Sequence, residues 1–241
     1  MKIFKDSKVK NQVVKPILTI GTFDGIHIGH QEILRRLIQE AKEKNGESVL
    51  FTFEPHPREV IFPDTHGLKM ISTLEEKMET LNELGIDHLI LFPVTKGFSE
   101  LTAEEFVKTV LVDDIGIEKV VIGYDHHFGK NREGNIEVLK KFGKEYGFEV
   151  EEIPAQDIDD INVSSTKIRK ALEEGEMQTV TQYLGRPFEI NGIVVEGNKL
   201  GRTMGYPTAN IDIQDDKKIL PGNGAYVVQI GFREKVFRGM M

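Results

Sequence analysis

The chain has 241 residues, which is enough for one large domain or two modest ones with a stable core. Asp and Glu (39) outnumber Lys and Arg (31), and the formal net charge of −8 argues against a protein that coats nucleic acid or anionic lipid. The absence of cysteine excludes a disulfide scaffold, a thiolate metal site and a cysteine nucleophile. The first residues lack an apolar signal core and no apolar run has membrane length, so we expect a cytoplasmic protein without a membrane partner.

Short apolar runs recur through the first three quarters of the chain, with helical segments between them. Because these runs are continuous rather than alternating, they favour strands that are covered on both faces. The predicted strands lie at 16–20, 48–53, 88–92, 119–122 and 148–153.

The segments between these strands predict helices, because their apolar residues recur at helical spacing and some begin with a capping residue. Alternating strands and helices predict an α/β fold with a parallel sheet and right-handed crossovers. The predicted helices lie at 29–44, from Ser72 or Thr73 to Gly85, from the capping box of Thr102 and Glu105 onward, and at 136–146.

The sequence pattern changes after the Gly-Arg-Pro stretch at 185–187. We therefore predict an α/β domain at 1–186 and a small β-rich domain at 187–241. In the second segment glycine is dense, no long helical stripe appears, and short strand-like pieces lie at 188–195, 225–231 and 235–237.

The stretch GTFDGIHIGH, residues 21–30, joins the first predicted strand to the first helix. Ligands of open parallel sheets bind at the carboxyl ends of strands, and glycines there let backbone N–H groups approach an anion at the helix N-terminus. His27 and His30 are three residues apart, so they share a face and can donate hydrogen bonds to a phosphoryl group. The alternatives are a tight Asp-Gly turn with one capping and one solvated histidine, or a zinc site, which the missing third ligand disfavours.

This stretch resembles the HxGH signature of the nucleotidyltransferase superfamily. With its upstream Gly-x-Phe-Asp-Gly it is similar to the flavin-adenylating branch, the prokaryotic FAD synthetases, and three further stretches match that branch in order. The resemblance implies a Rossmann-like nucleotidyltransferase domain. It also implies catalytic roles for His27 and His30, and ATP binding by Gly21, Phe23 and Gly29.

Residues 53–57, FEPHP, follow the second predicted strand. Two prolines stiffen this loop, and its rings offer flat surfaces. It resembles the FxPHP element of the FAD synthetases, which lies near the flavin and the triphosphate. The resemblance implies ligand contacts by Phe53, Pro55 and His56, with Arg58 as a further candidate for a phosphate contact. The alternative is a rigid turn with a structural histidine.

Residues 123–130, GYDHHFGK, follow the fourth predicted strand. They resemble the family element Gly-x-Asp/Asn-Phe-x-Phe-Gly, which implies that Asp125 lies near the nucleotide and that Phe128 packs under the ligand or the loop. The chain departs from this pattern at His126, where the family usually has Phe. The alternative is a turn with two solvated histidines, and adjacent histidines of this kind do not suit one metal ion.

Ser164, Ser165 and Thr166 precede a predicted helix at 167–174. Their hydroxyls can cap the helix or bind phosphate oxygens, and Arg169, one turn further, can make a forked phosphate contact. An ordinary N-cap explains one serine but not the arginine. The stretch resembles the ISSTxxR fingerprint of the same superfamily, which implies that these four residues bind ATP.

The resemblance implies transfer of AMP from ATP to FMN, which gives FAD and pyrophosphate. The attacking phosphate has a second pKa of ~6, so no general base is required. His27 and His30 would stabilise the transferred phosphoryl group, and the Ser164–Arg169 cluster would hold the departing pyrophosphate. Mg²⁺ is expected to bridge phosphate oxygens with few protein ligands, and we assign no metal-binding residue.

The stretch at 201–210, GRTMGYPTAN, resembles the riboflavin kinase signature GRxxGxPTAN. It implies that Gly201 and Arg202 lie along phosphates and that Thr208 and Asn210 contact ATP and Mg²⁺. The segment is shorter than the barrel of that family, and the catalytic carboxylate that follows PTAN in the family has no matching motif. We therefore expect a protein that makes FAD from FMN without riboflavin kinase activity.

Several alternatives remain open from the sequence. The chain is either a shortened form of a bifunctional riboflavin kinase/FAD synthetase or a single-activity enzyme. Two other hypotheses are a non-catalytic sensor of flavin or nucleotide, and a nucleotidyltransferase that uses another phosphate acceptor. The sequence gives no indication of the oligomeric state.

Overall fold

The computed structural model describes residues 1–61, 67–154 and 163–241. A parallel sheet of six strands forms the centre of the first part of the chain. The strands are β1 (Lys2–Phe4), β2 (Pro16–Ile20), β3 (Glu47–Phe53), β4 (His88–Phe92), β5 (Lys119–Gly123) and β6 (Glu149–Ile153). Their order across the sheet is β1-β4-β3-β2-β5-β6.

Helices connect these strands and cover both faces of the sheet. A helical stretch with π-type hydrogen bonding (Phe106–Ile115) continues one of the short helices, and a 3₁₀ turn lies at Lys130–Arg132. The α-helices are α1 (Ile28–Glu43), α2 (Pro57–Ile61), α3 (Leu74–Leu84), α4 (Lys96–Ser99), α5 (Ala103–Glu105), α6 (Ile136–Tyr146), α7 (Ser165–Glu173), α8 (Met177–Leu184) and α9 (Leu200–Thr203).

The predicted α/β architecture is confirmed, and one strand of the parallel sheet was missed. Strands were predicted at the positions of β2 to β6, within one residue at most ends. Edge strand β1 has only three residues and pairs in parallel with β4, from Lys2 with His88 to Phe4 with Ile90. A run this short carries no periodicity of its own, so its strand conformation depends on the pairing.

Local capping signals set the starts and ends of the helices as predicted. Thr73 accepts a hydrogen bond from the backbone N–H of Glu76, whose side chain accepts one from the N–H of Thr73. Gly85 ends the same helix in the left-handed conformation, at φ 87°. Thr102 and Glu105 form a second capping box, before the π-helical stretch. These local bonds satisfy free backbone groups at the helix ends.

The core lies on both faces of the sheet because successive strand residues point to opposite sides. Ile17 of β2 packs with Leu34 and Leu37 of α1 on one face. Leu18, the next residue, packs with Phe106 and Val110 on the other face. The continuous apolar runs of the sequence therefore correspond to strands that are buried on both sides.

The residues after 187 form two separate antiparallel pairs of strands. Strands β7 (Ile193–Val195) and β8 (Asn210–Asp212) form one pair, and β9 (Val227–Phe232) and β10 (Lys235–Met240) form the other. The sequence analysis did not predict β8. Many apolar side chains of these strands are exposed; Val227, for example, is 91% exposed.

A short stretch of the C-terminal segment is nevertheless attached to the α/β domain. The Met70 N–H donates to the Lys217 carbonyl at 2.7 Å, and the Ile219 N–H donates to the Met70 carbonyl at 2.8 Å. Ile219 is buried in a third apolar cluster that also contains Ile168 and Leu172 of α7. The C-terminal segment thus packs against the stretch before α3 and against α7.

In the part of the chain that the structure describes, no helix combines the length and the apolar character needed to cross a membrane.

Candidate active site

The sheet order brings the predicted motif loops to one edge. Strands β3, β2 and β5 are neighbours in the sheet and run parallel, so their carboxyl ends lie side by side. The loops that follow them begin at Gly21, Glu54 and Tyr124 and carry the GTFDGIHIGH, FEPHP and GYDHHFGK stretches. Three loops that are far apart in sequence therefore line one edge of the sheet, where open α/β sheets bind ligands.

The two histidines of the first loop lie against each other. Their ring centroids are 3.6 Å apart and their planes differ by 16°, and the His30 ring also contacts Phe23. His27 lies before α1 as its N-cap rather than in the first helical turn, and its Nδ1 accepts the His30 backbone N–H at 3.3 Å. This cap, rather than helical spacing alone, brings the rings together.

Burial keeps both imidazoles neutral at pH 7. It lowers the pKa of His27 to about 4, against a smaller opposing effect of Asp24. Burial also lowers the pKa of His30 well below its usual value, and the adjacent His27 lowers it further. Because His27 Nδ1 is an acceptor, its neutral ring carries the proton on Nε2, which can donate to a ligand. His30 Nδ1 is buried and has no hydrogen-bond partner among the described residues.

The buried neutral state of His27 predicts a pH dependence of stability. Between about pH 6.5 and about pH 4 the unfolded chain binds a proton at His27 that the folded chain does not. The free energy of unfolding is therefore expected to fall as the pH is lowered through this window, and less steeply in His27→Gln. Urea denaturation of both proteins at several pH values measures the difference. Identical pH profiles would contradict the neutral state assigned to His27.

Asp24, in the first loop, joins that loop to two distant segments. Its buried carboxylate accepts the backbone N–H groups of Ile71, at 3.0 Å, and Ser72, at 3.2 Å. It also pairs with Arg169 of α7, whose Nη2 lies 2.5 Å away. The Ser165 hydroxyl donates to the Asp24 carbonyl at 3.2 Å. The GTFDGIHIGH stretch and the Ser164–Arg169 cluster are the two fingerprints that the sequence predicts. They lie about 140 residues apart in the chain and meet at Asp24.

The other residues of the second fingerprint differ in their surroundings. Ser164 is the N-cap of α7, and its hydroxyl accepts the Lys167 N–H at 3.3 Å. Thr166 is exposed at the start of the helix. Val163 lies beside Gly29: a Cβ on this glycine would be 3.4 Å from a Val163 methyl group, which is an ordinary van der Waals contact.

The FEPHP loop presents its histidine near the first loop. His56 is half-buried, and burial lowers its pKa to about 4. Its Nδ1 accepts the backbone N–H of Arg58, whose side chain is exposed. The Glu54–Pro55 peptide bond is cis. Phe53 packs against the aromatic core, with Phe98 at 6.0 Å between ring centroids.

The third loop divides between core and surface. Phe128 is buried and packs on Phe106, whereas Asp125 is exposed. His126, at the position where the family usually has Phe, stacks on Phe128 at 6.1 Å between ring centroids. Burial lowers the pKa of His126 to about 4, so this histidine takes the role of an apolar ring in the packing.

The kinase-like residues lie apart, in the C-terminal segment. Gly201 is buried, while Arg202, Thr208 and Asn210 are exposed. The Tyr206 N–H donates to the Gly201 carbonyl at 2.8 Å, which closes a tight turn within the GRTMGYPTAN stretch.

Three basic residues near the first loop were not identified from the sequence. Arg186 donates to the carbonyls of Gly25, at 3.0 Å, and Ile26, at 3.2 Å. Lys77 of α3 donates to the Thr22 carbonyl at 2.9 Å. Lys218 of the C-terminal segment is buried; it pairs with a carboxylate of α3 and donates to the carbonyl of residue 71 at 2.8 Å. No local sequence pattern distinguishes these three residues from the other basic residues of the chain, so the sequence alone gave no signal for them.

The donor set of this edge does not form a protein cage for a metal ion. Among the described residues, no group of three or more His, Cys, Asp or Glu side chains is arranged to hold one. The Asp24 carboxylate, which lies at the edge, is already engaged by Arg169 and two backbone N–H groups.

Two models of known protein families match the chain. The sequence model of the FAD synthetase family matches residues 9–167, and that of riboflavin kinase matches residues 184–241. A relative from Buchnera aphidicola subsp. Schizaphis graminum, named bifunctional riboflavin kinase/FMN adenylyltransferase, is 40% identical over 225 residues, which cover 92% of this chain and 71% of that protein. A relative of the same name from Escherichia coli K12 is 36% identical, over 93% of this chain and 71% of its own length.

A solved structure shares the whole architecture. The crystal structure described as that of a macrolide-efflux protein from Streptococcus pneumoniae has a TM-score of 0.84 and 30% identity, and the match covers 100% of this chain and 78% of that chain. The chain thus has a Rossmann-like nucleotidyltransferase fold in the part that the FAD synthetase model matches, followed by a segment that the riboflavin kinase model matches. The chain belongs to the FAD synthetase family.

Proposed function

We propose that the FMN adenylyltransferase reaction of this family takes place at the edge formed by the loops after β2, β3 and β5 and by the start of α7. ATP and FMN are the substrates, and FAD and pyrophosphate are the products. The observation that carries this assignment is the contact of the two fingerprints at Asp24, which joins the histidine loop to Arg169.

The reaction forms one bond and breaks one. A phosphate oxygen of FMN attacks the α-phosphorus of ATP, and the bond from that phosphorus to the bridging oxygen of the β-phosphate breaks, so pyrophosphate leaves. The FMN phosphate is largely ionised at neutral pH, with a second pKa of ~6, and needs no base. The protein therefore contributes positioning and charge stabilisation.

The neutral histidines act in this proposal as hydrogen-bond donors. The Nδ1 atom of His27 accepts the His30 backbone N–H, so the proton of the ring is on Nε2, on the side of the ring away from the helix cap. A buried donor of this kind is stronger than the same donor in water, because little solvent screens it. The stacked pair supplies donors without the repulsion that two protonated rings would create.

Arg169 and the hydroxyls of α7 are proposed to hold the departing pyrophosphate. Arg169 uses Nε for the Lys69 carbonyl and Nη2 for Asp24, and its Nη1 group has no hydrogen-bond partner among the described residues. The guanidinium is thus oriented by two bonds and keeps donors for a phosphate oxygen. Ser164, Ser165 and Thr166 lie next to it at the helix N-terminus, which favours negative charge.

Mg²⁺ is proposed to enter with ATP, held by phosphate oxygens, where it would neutralise part of the triphosphate charge. Asp125, at the end of the neighbouring strand β5, is exposed and is proposed to offer an outer contact. We also propose a cytoplasmic location and no nucleic-acid partner, because of the composition and the net charge of −8.

We further propose that residues 1–186 are the adenylyltransferase domain and that residues 187–241, as present here, do not phosphorylate riboflavin. The two strand pairs of the second segment form separate sheets whose apolar side chains are exposed. A kinase site built on a closed barrel needs these faces to be covered, so the segment by itself is expected to lack one.

The experiment that tests both proposals compares two flavins. With ATP and Mg²⁺, the protein is expected to release pyrophosphate and form FAD when FMN is present, and to form neither FMN nor FAD from riboflavin. Chromatography of the flavins and a coupled pyrophosphate assay measure the products. Absence of FMN-dependent pyrophosphate release would reject the adenylyltransferase assignment, and FMN or FAD formed from riboflavin would reject the second proposal.

A further inference from the structure

The histidine pair and Arg169 bring little net positive charge to a reaction between two phosphate groups, and Arg58, the other cation predicted for this site, is exposed. His27 and His30 are neutral at pH 7, because burial lowers the pKa of both rings. The charge of Arg169 is balanced by Asp24, 2.5 Å away. Each phosphate monoester carries a charge of about −1.5 to −2 near pH 7, so a site for ATP and FMN needs a cation that is not already neutralised.

Lys77 has the position of such a cation. It lies on α3, and its half-buried side chain reaches the first loop, where Nζ donates to the Thr22 carbonyl at 2.9 Å. Thr22 is two residues before Asp24. Among the described residues, no carboxylate oxygen lies within the 4.0 Å of Nζ that defines an ion pair. An ammonium group has three donors, and the Thr22 carbonyl occupies one of them.

The charge of Lys77 acts on titratable groups of two motif loops. Its charge lowers the pKa of His30 in the first loop and of His56 in the FEPHP loop, in both cases as a smaller effect beside burial. Burial lowers the pKa of Lys77 itself, and the more distant Asp24 and Glu54 only partly offset this. The ammonium therefore lies between the two loops at a cost in stability, which is typical of a functional charge.

We propose that Lys77 contacts the phosphoryl group that is transferred from ATP to FMN and stabilises the charge that develops on it. This inference rests on the proposed function. It adds to the predicted motifs a catalytic residue that lies outside all of them, on the face of α3 that meets the first loop.

The test compares Lys77→Met with Lys77→Arg in steady-state FAD formation. The methionine variant is expected to lose about a hundredfold in kcat with a smaller change in KM, because a preformed charge acts mainly on the transition state. Its melting temperature is expected to equal or exceed that of the wild type, because a buried charge is removed. The arginine variant keeps the charge and is expected to retain at least ten times the kcat of the methionine variant.

Two control variants separate a direct role from a structural one. Lys218→Met removes a buried lysine of the same region, which pairs with Glu76, and is expected to lower the melting temperature. Lys140→Met removes an exposed lysine of α6 and is expected to leave both activity and melting temperature unchanged.

The outcomes that overturn the proposal are distinct from those that reject the function. Wild-type protein without FMN-dependent pyrophosphate release rejects the proposed function. If the wild type is active, the Lys77 proposal is overturned by an unchanged kcat in Lys77→Met, by a fall in its melting temperature like that of Lys218→Met, or by an arginine variant as slow as the methionine variant.

Discussion

Replacing His30 with alanine is expected to lower kcat for FAD formation about a hundredfold, the usual effect of removing one donor to a developing negative charge. The His30 ring lies on His27 and Phe23, and its Nδ1 has no partner among the described residues, so the ring is held in place by stacking rather than by hydrogen bonds. Steady-state kinetics of FAD formation, with FMN and ATP varied in turn, measures the effect.

The fold is expected to survive this substitution. His30 is half-buried as a residue and is not a member of an apolar core cluster, so the melting temperature should remain within about 4 °C of the wild-type value. His30→Gln is the matched variant, because it keeps a polar side chain of similar length without the ring. Near-normal turnover in the alanine variant, with a normal melting curve, would contradict the assignment of His30 to the active site.

Asp24→Asn is expected to cost about 3 kcal/mol of unfolding free energy, the lower end of the usual cost of breaking a buried ion pair by removing one partner. The Asp24 side chain is 4% exposed and that of Arg169 17%, so solvent screens the pair weakly. An amide also presents N–H donors toward the backbone N–H groups of Ile71 and Ser72, which the carboxylate accepts. FAD formation is expected to fall as well, because Asp24 orients Arg169.

A surface carboxylate provides the control for this prediction. Glu137→Gln removes a side chain that is 77% exposed and pairs with Lys140 at 3.3 Å. Its effect on the unfolding free energy is expected to stay within about 0.5 kcal/mol. Urea denaturation of the two variants and the wild type measures both values. A loss in Asp24→Asn no larger than that in Glu137→Gln would show that Asp24 does not hold the two fingerprints together.

Much of the fold could be predicted because its signals are local. The apolar runs of β2 to β6 and the capping boxes at Thr73 and Thr102 act within a few residues, so they can be read without the tertiary structure. Strand β1 lacks such a signal, because three residues form a strand only when β4 is there to pair with them.

The sequence analysis placed each motif loop after a predicted strand, and the sheet order β3-β2-β5 makes these three strands neighbours, so that their loops share one edge. The sequence did not indicate Lys77, Arg186 or Lys218. Each is one basic residue among many, and its neighbours in the fold lie more than fifty residues away in sequence.

The sequence by itself determined which chemical groups this protein carries and in what order: a histidine pair, a proline-stiffened loop and a hydroxyl-arginine cluster. Only the tertiary structure decided their charge state, because burial, which no short stretch reveals, makes the imidazoles neutral and pairs Arg169 with Asp24. The same burial surrounds the ammonium of Lys77, a half-buried positive charge that lies between the loops and outside the predicted motifs.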